Sequence, residues 1–272
     1  MPDGSLLSLP IPDASSTIKY RDVVIDNQEL GFKNLGALVE QLTQGKIKSN
    51  HGVHLDPDIV KSQLKRSRSW RPLFGQMGAA QAHLKNNDVG SGDIFLFFGL
   101  FRKVNLSNNR LIWDKSTPAK HVLWGWFQID QVFHLNDKLA HLPSWTRYHC
   151  HYAHPAAANN TLYTATSTLE LLGHKMNIPG AGLFTHFHSN LQLTANNAKR
   201  VTDWRLPKWF FPKNGITPLT YHKDLSRWQR DKQLTRLSAV ARGQEFVMDT
   251  EYYPEARYWL KALIDQHADK TF

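Results

Sequence analysis

GDIFLFFGLFR, residues 92–102, decides how this chain is read. From Ile94 to Phe101 it is apolar throughout, apart from Gly99. The run is too short to cross a membrane and too rich in phenylalanine for a surface helix. Gly-Asp precedes it and arginine closes it. That pattern predicts a strand covered on both faces. HVLWGWFQIDQVFHL, 121–135, reads as a second strand. Gly125 between Trp124 and Trp126 predicts a bulge or a close approach to something flat.

Outward from these two, TLYTAT (161–166), GAGLF (180–184), NLQLTA (190–195) and GQEFVMD (243–249) predict further short strands. NLGALVEQLTQ (34–44) and GQMGAAQAHLKNN (75–87) predict helices, as does 230–241, with Gly243 just past its end. PEARYWLKALIDQH (254–267) predicts an amphipathic helix whose apolar stripe is Ala256, Trp259, Leu260, Leu263 and Ile264. HLDPDIV (54–60) predicts a loop entering a helix, with Asp56 as N-cap and Pro57 at the first helical position. The prolines and glycines of residues 1–20 predict an extended arm. Nothing repeats and nothing is of low complexity. The expectation is one α+β domain over 1–272, a curved central β-sheet or partial barrel flanked by helices.

Charge narrows the partners. Thirty-three lysines and arginines against 23 acids leave a net +10, which favours polyanions. No basic amphipathic helix, lipidation motif or long apolar run points to a membrane. The N-terminus lacks the basic and apolar segments of a secretory signal, and a single cysteine excludes an internal disulfide, so the cytoplasm is the expected location. DNA is the expected partner. Basic residues cluster at 61–71, 199–213 and 221–236, interleaved with Trp204, Trp209, Phe210, Phe211 and Trp228. Cations for phosphate and rings for base faces are what unstacked nucleic acid needs. The same aromatics could equally be core. Arg66, Arg68, Arg71, Arg102, Lys199, Arg200, Arg205, Lys208 and Arg227 are the expected nucleic-acid contacts.

HCHYAH, 149–154, is the densest chemical feature. Its spacing could ligate a metal, but no HExxH, cysteine pair or carboxylate partner accompanies it. The zinc deaminase signature is also missing. The reading is a polar contact from His149 and His151 at a strand edge, with no metal and no cofactor. Excising a base needs a carboxylate to activate water or stabilise an oxocarbenium-like state. Glu245, Asp56 and Asp249 are the candidates, with Asp58 beside them. A pocket for a flipped base would draw on Trp124 and Trp126 as stacking rings sharing one strand face, on Phe74 and Gln76 from a loop before a helix, and on Gln244, His149 and His151. Gln81 is the alternative edge-reading amide. No Walker loop, dinucleotide fingerprint or Gly-x-Ser-x-Gly elbow occurs.

GDIFLFFGLFR, HVLWGWFQID, WRLPKWFFP and GQEFVMD, with HLDPD and WRPLFGQMGAAQAHL, together resemble the nucleotide modification associated domain of the third type. The matches recur over nearly the whole chain. The resemblance implies a protein that acts on, or reads, modified nucleotides, and supplies no reaction. Tyr148, His149 and His151 match that family's pattern and His154 does not. Resembling sequences carry proline where this chain has Cys150, which argues against a family nucleophile there. Family members also begin with a further strand bearing Ser-Arg-Lys-Gly-Phe-Asp, expected to be missing ahead of PDGSLLSLPIPD. More weakly, strands 92–102 and 121–133 are similar to the core of PUA-like domains of the EVE and ASCH groups, which hold an extruded base. The combined expectation is a DNA-interacting protein that recognises modified nucleobases, acting as a DNA glycosylase in phage defence or DNA modification. The alternatives are a non-catalytic reader and a metal-dependent nuclease.

Overall fold

A computed structural model describes residues 1–25, 31–108, 110–136, 142–241 and 245–268. The helices are α1 (Leu35–Leu42), α2 (Gly78–Asn86) and α3 (Glu255–His267). The strands are β1 (Leu73–Gln76), β2 (Ile94–Phe101), β3 (Val104–Ser107), β4 (Arg110–Trp113), β5 (Lys120–His134), β6 (Thr161–Ala165), β7 (Glu170–Leu171), β8 (His174–Lys175), β9 (Ala181–Leu183), β10 (Asp203–Pro207), β11 (Trp228–Arg230) and β12 (Leu234–Ser238). The fold is mixed α and β around a strongly curled half-barrel sheet. Among the described residues, no helix is long and apolar enough to cross a membrane.

The two opening stretches form β2 and β5, paired antiparallel, with β5 central and β2 at the end of the strand order. The main sheet runs β1-β6-β5-β2, and β9 also pairs with β5. Two bulges bend β5. Phe97 opposes Gly125 and Phe98 opposes Leu123, which leaves Trp124 as an extra residue. Ile129 opposes Ala165 and Gln131 opposes Thr164, which leaves Asp130 extra. Each inserted residue sharpens the local twist, and so β5 curls. The close approach at Gly125 is also present, since a Cβ there would meet the Gly182 carbonyl at 2.8 Å.

The Trp124 bulge changes which way the tryptophans face. Trp126 is fully buried on one face with Trp204, Leu206, Leu237, Leu263 and Ile264. Trp124 packs on the other face with Phe97, Phe127 and Tyr163. The expectation of one shared face is therefore corrected: an extra residue inverts the alternation.

β10, β12 and β11 form a second sheet, with α3 packed against the same core. Helix 230–241 is not found; Leu234–Ser238 is the central strand of that sheet. Thr235 and Leu237 are buried while Arg236 between them is exposed, a two-residue period that its charged neighbours disguise. Residues 245–249 form no strand. Segment 190–195 makes isolated bridges to Val122 and Trp204 after a 3-10 turn.

α1 starts where Asn34 Oδ1 accepts from Ala37 N, an N-cap. It buries Leu35, Leu38, Val39 and Leu42 in a separate core with Tyr20, Val104 and Leu111. At about 1.5–3 kcal/mol per buried aliphatic side chain, this face secures the N-terminal region. Residues 1–19 run without helix and bridge at Ser5–His186, Pro12–Val53 and Lys19–Gly52.

Candidate functional site

A cleft of about 1750 Å³ opens beside β2. Phe74 on β1 and Phe95 and Phe97 on β2 line it as a cluster of rings. Phe74 lies 4.8 Å from Phe95 and 5.2 Å from Phe97, both edge-to-face. All three are only partly buried, so their rings carry free surface into the cleft. Gln76 sits on β1, not in a loop, and its side chain is fixed at both ends. Its Oε1 accepts from Met77 N at 3.1 Å, and its Nε2 donates to Glu245 Oε1 at 3.5 Å. The second Glu245 oxygen has no hydrogen-bond partner among the described residues. Asp249 lines the same cleft.

Thus Phe74, Gln76, Glu245 and Asp249, scattered over 175 residues of sequence, line one cavity. Gln244 lies outside the described residues. Trp124 stands behind the cleft, stacked on Phe97 at 5.3 Å. Trp126 has no exposed surface and donates Nε1 to the Pro179 carbonyl, so it cannot stack a base.

The cleft's charge runs against that of the chain. Asp88, Asp93, Asp130, Glu170, Glu245, Asp249 and Glu251 line it, against Arg71, Lys175, Lys223 and Arg257. Among the described residues, seven carboxylates and four cations line the cleft, while the whole chain is +10. Arg71 is already paired with Asp130 at 2.6 Å. The lining therefore suits a neutral or cationic base better than a phosphate.

The expected phosphate contacts divide. Arg66 is not one of them: it is buried, bound to Asp58 at 2.5 Å, and lies over the rings of Trp70 and Tyr148. Arg68, Arg102, Lys199, Arg200 and Lys208 are exposed, and Arg200 pairs with Asp203. Arg205 on β10 stands opposite Arg236 on β12, a like-charge pair on the outer face of the second sheet. Arg227 donates to the Ser238 carbonyl at its edge. The aromatics between them face the other way. Trp204, Phe210 and Trp228 are core, because β10 and β11 alternate charged residues outward with rings inward.

Asp56 belongs to a different place. The chain turns through a cis Asp56–Pro57 peptide and Asp58 then bridges Leu73. Only a 3-10 turn, Lys61–Gln63 with Val60 at its N-cap, follows, and Asp56 is not an N-cap. Its Oδ1 accepts from Gly75 N at 2.9 Å. His149 Nε2 approaches Oδ1 at 3.6 Å and His151 Nε2 approaches Oδ2 at 3.2 Å. HCHYAH is thus a buried 3-10 turn, Cys150–Ala153 with His149 capping it, not an exposed strand edge. His149 and His151 lie outside the cleft lining.

Burial alone would push the Asp56 carboxyl up. The close approach and charge of His149 and His151 outweigh it and hold the carboxyl well below its usual range. Burial would conversely lower His151, but the Asp56 hydrogen bond and charge raise it. Burial, with Asp56 and Asp13 nearby, pushes the Cys150 thiol far up, which argues against a free nucleophile. His54, Asp56 and Cys150 bring one nitrogen, one oxygen and one sulfur within 4.8 Å of one another. The carboxylate partner that the sequence of HCHYAH lacks is supplied by HLDPD. There the alternating His54 and Asp56 were the legible signal.

The family model for nucleotide modification associated domain 3 matches residues 1–249. No curated protein and no solved structure matches the chain.

Proposed function

The chain belongs to the nucleotide modification associated domain 3 family, and from that premise we propose that its cleft receives a modified nucleobase unstacked from DNA. The observation that carries the reading is the Gln76–Glu245 pair beside the partly buried rings of Phe74, Phe95 and Phe97. The rings offer a base face, the amide reads an edge, and the carboxylate lies within reach of a bound water. The excess of carboxylates suits a base whose modification carries an amino group. The backbone phosphates stay outside, on exposed cations such as Arg68, Arg102 and Lys208.

The reaction this arrangement supports is hydrolysis of the N-glycosidic bond. Glu245 takes a proton from water as the water oxygen bonds C1′. The C1′–N bond breaks with its electron pair going to the base, which ends protonated by the proton that Glu245 removed. A second reading is a reader without turnover. It is favoured by the hydrogen bond that occupies one Glu245 oxygen.

The test is a strand-scission assay. Duplex and single-stranded DNA carrying unmodified, hydroxymethylated, glucosylated or amino-modified bases are incubated with the protein and treated with hot alkali. Alkali-dependent breaks confined to a modified substrate support excision. Base-specific binding without breaks supports the reader. Neither binding nor breaks with any of them overturns the proposal.

A further inference from the structure

The cluster around Asp56 is separated from the cleft by β1, and its tautomers are fixed from outside. Asp13 Oδ2 lies 3.2 Å from His54 Nδ1. Asp13 Oδ1 is in turn held by the backbone N–H and hydroxyl of Ser15. His54 Nδ1 is therefore the N–H donor, and the Nε2 lone pair points inward. There it meets Asp56 Oδ2 at 3.7 Å and Cys150 Sγ at 3.7 Å. His151 is fixed in the same sense. Asn160 donates Nδ2 to the carbonyls of His151 and His154, so its Oδ1 must accept from His151 Nδ1 at 2.7 Å. A second Nε2 is thus turned toward the same carboxylate. His149 Nε2 is buried with no hydrogen-bond partner among the described residues and is also aimed at Asp56.

Lone pairs do not converge on a carboxylate without a cation between them. Protons on the histidines are one such cation. The donor set points to another. A tetrahedral ion with bonds of about 2.0–2.3 Å has donor-to-donor edges of roughly 3.3–3.8 Å, and the two 3.7 Å separations fall in that range. One nitrogen, one oxygen and one sulfur donor suit a borderline ion of the zinc class. A carboxylate behind a ligating histidine is the usual outer support of such sites. The His54 side chain is 21% exposed, which leaves an entry path.

We propose that the chain binds one zinc-class divalent ion on His54 Nε2, Asp56 Oδ2 and Cys150 Sγ, with Asp13 orienting His54. On binding, the Cys150 thiol proton leaves for solvent and the sulfur bonds the metal as thiolate. The site lies apart from the Gln76–Glu245 pair, and none of its three ligands lines the cleft, so either proposal can fail alone.

The test uses the full-length chain, stripped with a chelator, dialysed and titrated with Co²⁺. The expected result is uptake of one ion per chain, a thiolate-to-cobalt charge-transfer band in the near ultraviolet, and displacement by Zn²⁺. Cys150→Ser should abolish the band. Asp13→Asn should keep it and weaken affinity about 10–100-fold. Wild-type protein of native circular dichroism that takes up no cobalt would overturn the site. So would a band that survives in Cys150→Ser. If Cys150→Ser does not fold, His54→Ala at the partly exposed rim carries the decision. An affinity loss of about tenfold or more supports the site, and unchanged affinity sinks it.

Discussion

The Gln76 amide donates to Glu245 across 3.5 Å, joining β1 to a segment 169 residues further along the chain. Glu245→Gln replaces the carboxylate with a group of the same shape that cannot take a proton. Base-specific binding should stay within about threefold of wild type. Turnover should fall by about 10²-fold or more, the ordinary worth of a general base. Mobility shift and single-turnover alkali cleavage measure the two separately. Equal loss of both would move Glu245 from chemistry to binding.

Asp58 is held by Arg66 on one oxygen and by the Tyr148 hydroxyl on the other, both at 2.5 Å. Trp70 Nε1 donates to the same hydroxyl at 2.7 Å. Burial pushes the Asp58 carboxyl up against the pull of Arg66. Arg66→Ala strands a buried acid and should cost about 3–5 kcal/mol. Tyr148→Phe removes a donor and should cost about 1–3 kcal/mol. Urea unfolding followed by tryptophan fluorescence gives both numbers. An Arg66→Ala loss under about 1 kcal/mol would show that water reaches Asp58.

Two buried histidines are neutral by virtue of their bonds. His121 Nδ1 accepts from Trp204 Nε1 at 3.0 Å, and His222 Nε2 accepts from Val240 N at 3.2 Å. Burial lowers both, and the Arg227 charge lowers His222 further. A folded value below the unfolded one means that the unfolded chain binds more protons in acid. The contribution of these two histidines to stability should therefore be full above about pH 6.5 and fall as pH drops through that value. The slope is at most about 1.4 kcal/mol per unit for each group. Melting curves from pH 7.5 to 5 test this, and His222→Gln should flatten them. An unchanged slope in that variant would assign the acid sensitivity elsewhere.

Gly182 lies against the Trp126 indole, where an added Cβ would come within 2.3 Å of the ring. Backbone on β9 cannot yield without disturbing its pairing with β5. Gly182→Ala should destabilise by about 1–3 kcal/mol, read as a lower urea midpoint. A neutral result would mean that the indole can swing aside.

The strands at 92–102 and 121–135 were legible because unbroken apolar runs between glycine and charge have few other uses. Helix 254–267 was legible because its stripe keeps a helical period. Leu234–Ser238 was misread because the basic residues around it hide an alternation of buried and exposed positions. The partners of Glu245 were half legible: Gln76 was named with it as a pocket residue, but nothing local says that β1 carries the amide to that acid. Asp56 was read both as a helix cap, because Asp-Pro is a common helix entry, and as a candidate catalytic carboxylate. The histidines that surround it come from a turn more than ninety residues away, and local pattern does not reach that far. Trp126 and Trp124 could not be assigned to faces without knowing that one residue between β2 and β5 is extra.

Gly75 has the His151 ring where a side chain would go, with Cδ2 2.4 Å from the site of a Cβ. Its N–H is bound to Asp56. The next residue, Gln76, faces the cleft. β1 is therefore a partition only one strand thick, with an imidazole chamber behind it and the phenylalanine cleft in front. No second layer insulates one from the other. Any inward or outward shift of this short strand at Gly75 is felt by both compartments, whereas a change at His54 or at Glu245 is confined to its own side.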